Sequence, residues 1–393
     1  MTRTGLHPFF RNPLLPAIMA CFCAGGLYGW SALIAPLQDR YSVSTADTGL
    51  AFSIAIVSFS SAVLILPSVF RGRSSTRQFA WFATLGAVFV LLALNAPTYV
   101  LFLIWFSGGF GAASGAIYII ALAISAQSIQ KEIATPVIVA SFGAGSAVFG
   151  PLWRFGGDQG WGLNGLLFLV MGLVVSALMA WQSNWRSETS SPPSSALNQD
   201  KTQSAGNRRC FLLWLTFAFG SYTGLMVLGL AAKMMDEVQM GLTTVGLTLG
   251  GIAICNTAGR LSAALLGARC GLSGCLALSF GITALGLTAS FLSSEWVKIM
   301  PLGMMCVAAG YGLTASTIPL VTQSSFGPGE FQRRFAVVFT AWGVAGFCAP
   351  WIGGILFDRN GSFTPALLTA TCSCLAFGLV SVLLIRDMER AKT

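Results

Sequence analysis

SNWRSETSSPPSSALNQDKTQSAGNR, residues 183–208, is the one long polar run in the chain. Ser, Pro, Asn and Gln dominate it, so it carries too little apolar surface to build a core and reads as a flexible linker. Outward from it in both directions the sequence becomes a series of apolar stretches about twenty residues long, the length that crosses a hydrocarbon core of ~30 Å. Six precede the linker, at 14–37, 47–70, 78–95, 99–124, 135–153 and 162–182, and six follow it, at 209–232, 243–267, 273–293, 297–321, 335–357 and 364–385. Of the 393 residues 55% are hydrophobic and only 9% charged. A soluble domain carries about a quarter charged residues, so a water-soluble fold of this length is excluded. The expected fold is an all-α membrane protein of twelve transmembrane helices. Residues 1–182 form one six-helix bundle and 209–393 the other. The first apolar stretch is too long for the h-region of a cleaved signal peptide and reads as span 1.

The net charge of +9 would suit a nucleic-acid partner, but its placement argues for topology instead. With the N-terminus in the cytoplasm, sixteen of the 22 Lys and Arg fall on inner loops and tails. Five fall outside (Arg40, Arg154, Lys233, Lys298 and Arg359), and one, Arg260, lies within a span. The acidic residues divide six inside to seven outside, so the bias belongs to the basic residues, as positive-inside topology requires. The expectation is a multi-pass protein of the plasma membrane (a bacterial inner membrane), with both termini and the linker cytoplasmic and no nucleic-acid partner. Nothing in the sequence asks for more than a monomer.

Most of the ten cysteines lie inside apolar stretches, and Cys21/Cys23 and Cys372/Cys374 are C-x-C pairs without metal spacing. They read as small apolar filler, and neither a metal nor a cofactor is expected. The single His7 precedes span 1, so no histidine chemistry can be built in the membrane. The two halves echo each other. GGLYG around Tyr28 in span 1 matches GSYTG around Tyr222 in span 7. GFGAASG from Gly109 matches GYGLTAS from Gly310, and Gly150-Pro151 matches Ala349-Pro350. The offsets are 194, 201 and 199 residues. Three matches in register point to a duplicated six-helix unit, with the halves related by an axis along the membrane normal.

Arg260 is the residue that speaks to function. An arginine inside a span costs at least ~2.5–3.5 kcal/mol, and such residues face cavities. No Asp or Glu lies within a span to pair with it. A guanidinium without a carboxylate partner beside a water-filled cavity is an anion site, and its planar fork suits a carboxylate. The alternative is an arginine that snorkels to the surface or caps carbonyls of a neighbouring helix. Asn256 precedes Arg260 by one helical turn and shares its face. It is placed to orient the guanidinium, to donate to substrate, or to bond a neighbouring helix. Tyr28, Tyr118 and Tyr311 lie inside spans 1, 4 and 10, where phenols serve a polar cavity better than they serve lipid. Tyr222 in span 7 reads as packing. With no intramembrane carboxylate, drive by a protein-borne proton relay is disfavoured. Exchange against a counter-anion, facilitated movement, and a proton carried with the substrate stay open.

Three stretches carry a family resemblance: YGWSALIAPL (Tyr28–Leu37), NTAGRLSAALLG (Asn256–Gly267) and FGPGEFQRRFAVVFTAWGVAGFCAPWIGG (Phe326–Gly354), the last followed by DRNGSF. Together they resemble the oxalate:formate antiporter and monocarboxylate transporter branch of the major facilitator superfamily, over nearly the whole chain. The resemblance implies a carrier in which Arg260 binds the substrate carboxylate, Asn256 supports it, and Tyr28, Tyr118 and Tyr311 line the cavity. Oxalate-exchanging members have a lysine in span 11 within a pattern like YTAKG. This chain reads Phe339-Thr340-Ala341-Trp342-Gly343, so Trp342 stands in the lysine's place. One cation fits a monocarboxylate such as formate, lactate or pyruvate better than a dicarboxylate. The span 1 lysine of proton-coupled animal monocarboxylate carriers is missing, and the loop motif G-x-x-x-D-R-x-G is reduced to Phe70-Arg71-Gly72-Arg73-Ser74, without its Asp.

The expected function is therefore alternating-access transport of a small organic anion, with no enzymatic step. Rival readings are an exporter of drugs or neutral solutes, and an anion sensor that keeps the fold without moving substrate. A membrane enzyme finds no carboxylate pair, histidine or nucleophile motif to support it.

Overall fold

The structure is a computed structural model, and it describes residues 13–70, 75–126, 131–183, 202–291 and 299–390. His7, Lys298, most of the degraded loop motif at 71–74, and the linker from 184 to 201 lie outside the described residues. Inside the membrane a backbone must satisfy its own hydrogen bonds, which leaves helices as the available solution for apolar stretches of this length. Twelve of the helices are long and apolar enough to cross a membrane. The N-terminal six are α1 (Leu14–Tyr41), α2 (Thr45–Val69), α3 (Thr76–Leu94), α4 (Tyr99–Ser125), α5 (Lys131–Asp158) and α6 (Gly162–Gln182). In the C-terminal six, α7 is Thr202–Glu237, so it begins inside the stretch expected to be linker. The arms of the helix Leu242–Phe291, broken at Gly271, are α8 and α9, and those of Met300–Asn360, broken at Gly327, are α10 and α11. The last helix, α12, is Thr364–Arg390. Both breaks put glycine at φ near +70°. That left-handed backbone is what the missing Cβ permits, and it reverses the chain without a loop.

The described helix ends at Pro16, Ser183, Arg209 and Asp387 lie on the side of the bundles here called the linker end, and the opposite end is the far end. Large apolar side chains such as Met171, Leu247 and Leu265 are exposed on the outer surface, as lipid contact requires. All ten cysteines are free.

Small residues set the closest approaches, the usual device where lipid gives no hydrophobic drive between helices. In α1 the segment Gly25–Leu33 tightens to a 3₁₀ helix between two α-helical pieces. A Cβ on Gly25 would sit 1.8 Å from the carbonyl oxygen of Phe142, so only glycine lets α1 and α5 meet backbone to backbone. In α4 the segment Leu103–Phe110 widens to a π-helix.

The bundles meet along α2 against α11, α5 against α8 and α1 against α7. The named contacts between them run from the far end to the level of Arg260. Gly49 packs on Pro350 and Gly354 on Thr45, while Pro151 lies against Gly250 and Phe155 against Gly246. Polar contacts join these at the far end. The Asp358 carboxylate at the end of α11 accepts the backbone N–H of Thr45 (3.1 Å) and of Ala46 (2.6 Å) in the first turn of α2. Arg154 on α5 forms a two-pronged ion pair with Asp236 on α7. Lys233 on α7 donates to Gln38 Oε1 on α1 (3.1 Å). The bundles are thus closed on one another at the far end.

Candidate functional site

Where they face each other, the two bundles bring together the residues singled out in the sequence. Arg260 lies on α8, one turn from Asn256, and its Nε donates to Asn256 Oδ1 (3.0 Å). Asn256 Nδ2 donates in turn to the Ala308 carbonyl of α10 (3.2 Å). The amide is thereby held between two partners and orients the guanidinium. Gly312 of α10 makes this packing possible, because a Cβ there would lie 2.1 Å from the Asn256 carbonyl oxygen.

The rest of the guanidinium reaches across to the other bundle. Arg260 NH2 donates to Tyr28 Oη on α1 (3.2 Å). Tyr28 Oη is 3.1 Å from Tyr311 Oη on α10, and Trp342 Nε1 on α11 donates to Tyr311 Oη (2.6 Å). The Arg260 Cζ stands 5.8 Å from the ring centroid of Tyr28 and 5.8 Å from that of Tyr311, within range of a cation–π attraction worth about 0.5–2 kcal/mol. Among the described residues no Asp or Glu pairs with Arg260. The charge rests on an amide, a phenol and two ring faces, all formally neutral.

Counting donors adds a chemical fact. The contacts Trp342–Tyr311, Tyr311–Tyr28 and Arg260–Tyr28 use the indole N–H, one guanidinium N–H and one phenol O–H. Two phenols supply two O–H donors. Whichever way the Tyr28–Tyr311 bond points, this chain leaves one phenolic proton to spare beside the guanidinium.

Tyr118 on α4 stands next to this network without a hydrogen bond to it. Its ring packs on Phe59 (5.6 Å) and edge-on to Phe142 (5.4 Å). Phe142 is edge-on to Tyr28 (5.2 Å), and Phe59 is edge-on to Trp342 across the bundle boundary (5.4 Å). All six singled-out residues therefore converge, five through hydrogen bonds and Tyr118 through ring packing. Phe59 and Phe142 complete the wall, and sequence reasoning missed them. Phenylalanine occurs 29 times, and in an apolar helix nothing distinguishes a ring facing a site from one facing lipid. Tyr222 bonds Thr369 (3.2 Å) within the C-terminal bundle, in keeping with its packing reading.

Tyr28, Asn256, Tyr311 and Trp342 are buried, whereas Arg260, Thr257, Tyr118 and Phe339 keep partial exposure. On the far-end side of Tyr28 a cavity of about 10 Å³ borders Ser31 and Ser146, room for one water-sized group. A larger cavity of about 510 Å³ borders Arg40 and Arg154 at the far end.

Twelve membrane-length helices in two bundles that close on a central polar site form a recognisable architecture. Residues 211–393 match the sequence profile of the Major Facilitator Superfamily. The chain has the major facilitator fold. Over 98% of its length it superposes on 99% of a bacterial homologue of the human lysosomal transporter Spinster, inward-facing and unoccupied, with a TM-score of 0.72 at 13% identity. The occupied inward-facing form of that homologue gives 0.68 at 13% identity over 98% of each chain. A mutant of the nucleoside transporter NupG gives 0.70 at 13% identity over 96% of this chain and 100% of that one. No curated protein sequence matches the chain significantly. The profile match lies in the C-terminal bundle, and at 13% identity the solved structures speak for the fold of the whole chain.

Proposed function

We propose that this major facilitator protein carries a small monocarboxylate across the plasma membrane by alternating access, with its termini and linker in the cytoplasm. One observation carries the substrate class: the Arg260 guanidinium at the bundle boundary, held by neutral groups only, with a spare phenolic proton beside it. A carboxylate offers two oxygens, one for the guanidinium fork and one for the phenol. Such charge-assisted bonds are about twice as strong as neutral ones. The neighbouring rings of Phe59, Phe142 and Trp342 are apolar, which suits a single carboxylate with a short apolar remainder. Asn256 orients Arg260, and Tyr28, Tyr118, Tyr311 and Trp342 shape the space around the ligand. The basic bias of the inner loops supports the orientation.

Uptake of labelled formate, acetate, lactate and pyruvate into proteoliposomes, with and without internal counter-anion, tests the reading. Saturable flux of at least one of them is expected in wild type. Arg260→Gln should lower it by a hundredfold or so, in line with the ~3 kcal/mol penalty for breaking a charged pair in a buried site. Equal transport by the mutant, or no flux of any carboxylate, would leave a neutral solute as the better reading. A nucleoside, the cargo named for one structural neighbour, would then be the first to try.

A further inference from the structure

We infer that Tyr28 couples occupancy of the site to movement of the bundles, by standing in for the substrate's carboxylate when the site is empty. The inference rests on the carboxylate reading above. In the hydrogen-bonded chain, Trp342, Tyr311, Arg260 and Asn256 all belong to the C-terminal bundle. Tyr28 alone belongs to the N-terminal one. Both of its bonds, to Arg260 (3.2 Å) and to Tyr311 (3.1 Å), therefore cross the boundary along which the bundles must slide. They are directional, and they sit where α1 is tightened and glycine-packed on α5, so the phenol stays with the N-terminal bundle and sliding breaks them.

An ionised carboxylate takes Arg260 from a neutral phenol because a charge-assisted bond outweighs a neutral one. Its second oxygen accepts the phenolic proton shared by Tyr28 and Tyr311, so both crossing bonds are given up. Other contacts across the boundary at this level, Phe59 on Trp342, Gly143 on Thr257 and Ser60 on Gly343, are van der Waals packing without directional demand. The empty carrier is thus held in place and the loaded carrier is freed. That is the kinetic signature of an exchanger, reached without any intramembrane carboxylate.

The test compares Tyr28→Phe with wild type in proteoliposomes, using labelled pyruvate and formate as probes. Net efflux into buffer and one-for-one exchange are measured side by side. The expected result is a rise of roughly fivefold or more in the ratio of net flux to exchange, about what losing one ordinary hydrogen bond allows. Tyr311→Phe, which removes one of the two crossing bonds, should give a smaller rise. A readout without substrate accompanies these: amide hydrogen exchange in nanodiscs over residues 44–49 and 354–360, where the far end is closed. Tyr28→Phe should speed exchange there in the ligand-free protein. If net flux and exchange fall in the same proportion and far-end amides exchange as in wild type, Tyr28 is only a substrate contact and the inference is wrong. If neither probe moves in wild type, or if Arg260→Gln transports normally, the carboxylate reading fails. The hydrogen-exchange arm then decides by itself whether Tyr28 ties the bundles together.

Discussion

Trp342 shows how much one residue decides. Its indole is buried, donates to Tyr311 (2.6 Å) and lies between Phe59 (5.4 Å) and Phe339 (5.3 Å). Tyr311 and Tyr28 link it to the Arg260 cation. A lysine at 342 would bury a second charge, which is costly unless a second anion meets it. Trp342→Lys should therefore lose monocarboxylate flux and gain oxalate as an inhibitor, seen as competition against labelled formate. Oxalate that competes no better with the mutant than with wild type would show that position 342 does not face the substrate. The residues of this site were legible in the sequence for a plain reason. An arginine, an asparagine and three tyrosines contrast with an apolar helix because each has hydrogen bonds to satisfy. Phe59 and Phe142 were illegible because a buried ring and a lipid-facing ring look alike in sequence.

Among elements, the helices themselves were read to within a few residues, because the length of an apolar run is set by the thickness of the bilayer. At the linker, α7 starts at Thr202, inside the polar stretch. Helical hydrogen bonds form within the backbone, so a helix can run on past its apolar stretch, and polarity alone does not mark where it begins. The 3₁₀ segment of α1 and the π segment of α4 were not foreseen either. Both arise where glycines let helices press together, Gly25 on α5 and Gly111 on α2. A sequence lists the glycines without naming the partner each one will touch.

At the scale of the whole molecule, the far-end closure was invisible beforehand because it depends on which helix ends meet. Asp358 belongs to the DRNGSF loop that marked the family resemblance, yet its role comes from capping α2 of the other bundle at Thr45 and Ala46. An anion at a helix N-terminus gains from both the free N–H groups and the helix dipole. Asp358→Asn keeps the shape but loses the charge, so the far end should open more readily. Far-end amides should exchange faster, by severalfold for an interaction of about 1 kcal/mol. Unchanged protection at residues 44–49 would mean that Arg154–Asp236 and Lys233–Gln38 hold the closure without it.

The unpaired Arg260 also has an electrical consequence. Loaded with a monoanion, the site is neutral, and its passage through the membrane draws no current. Empty, it carries one positive charge through whatever share of the transmembrane voltage falls across it, up to about 2.3 kcal/mol per 100 mV. Exchange should then be indifferent to a clamped potassium diffusion potential, while the return of the empty carrier is pulled toward the negative face. A net flux that ignores voltage as completely as exchange does would mean that Arg260 stays still in the field. In a cell polarised negative inside, the resting voltage would hold the empty carrier facing the cytoplasm, and that side would be where it waits for its next anion.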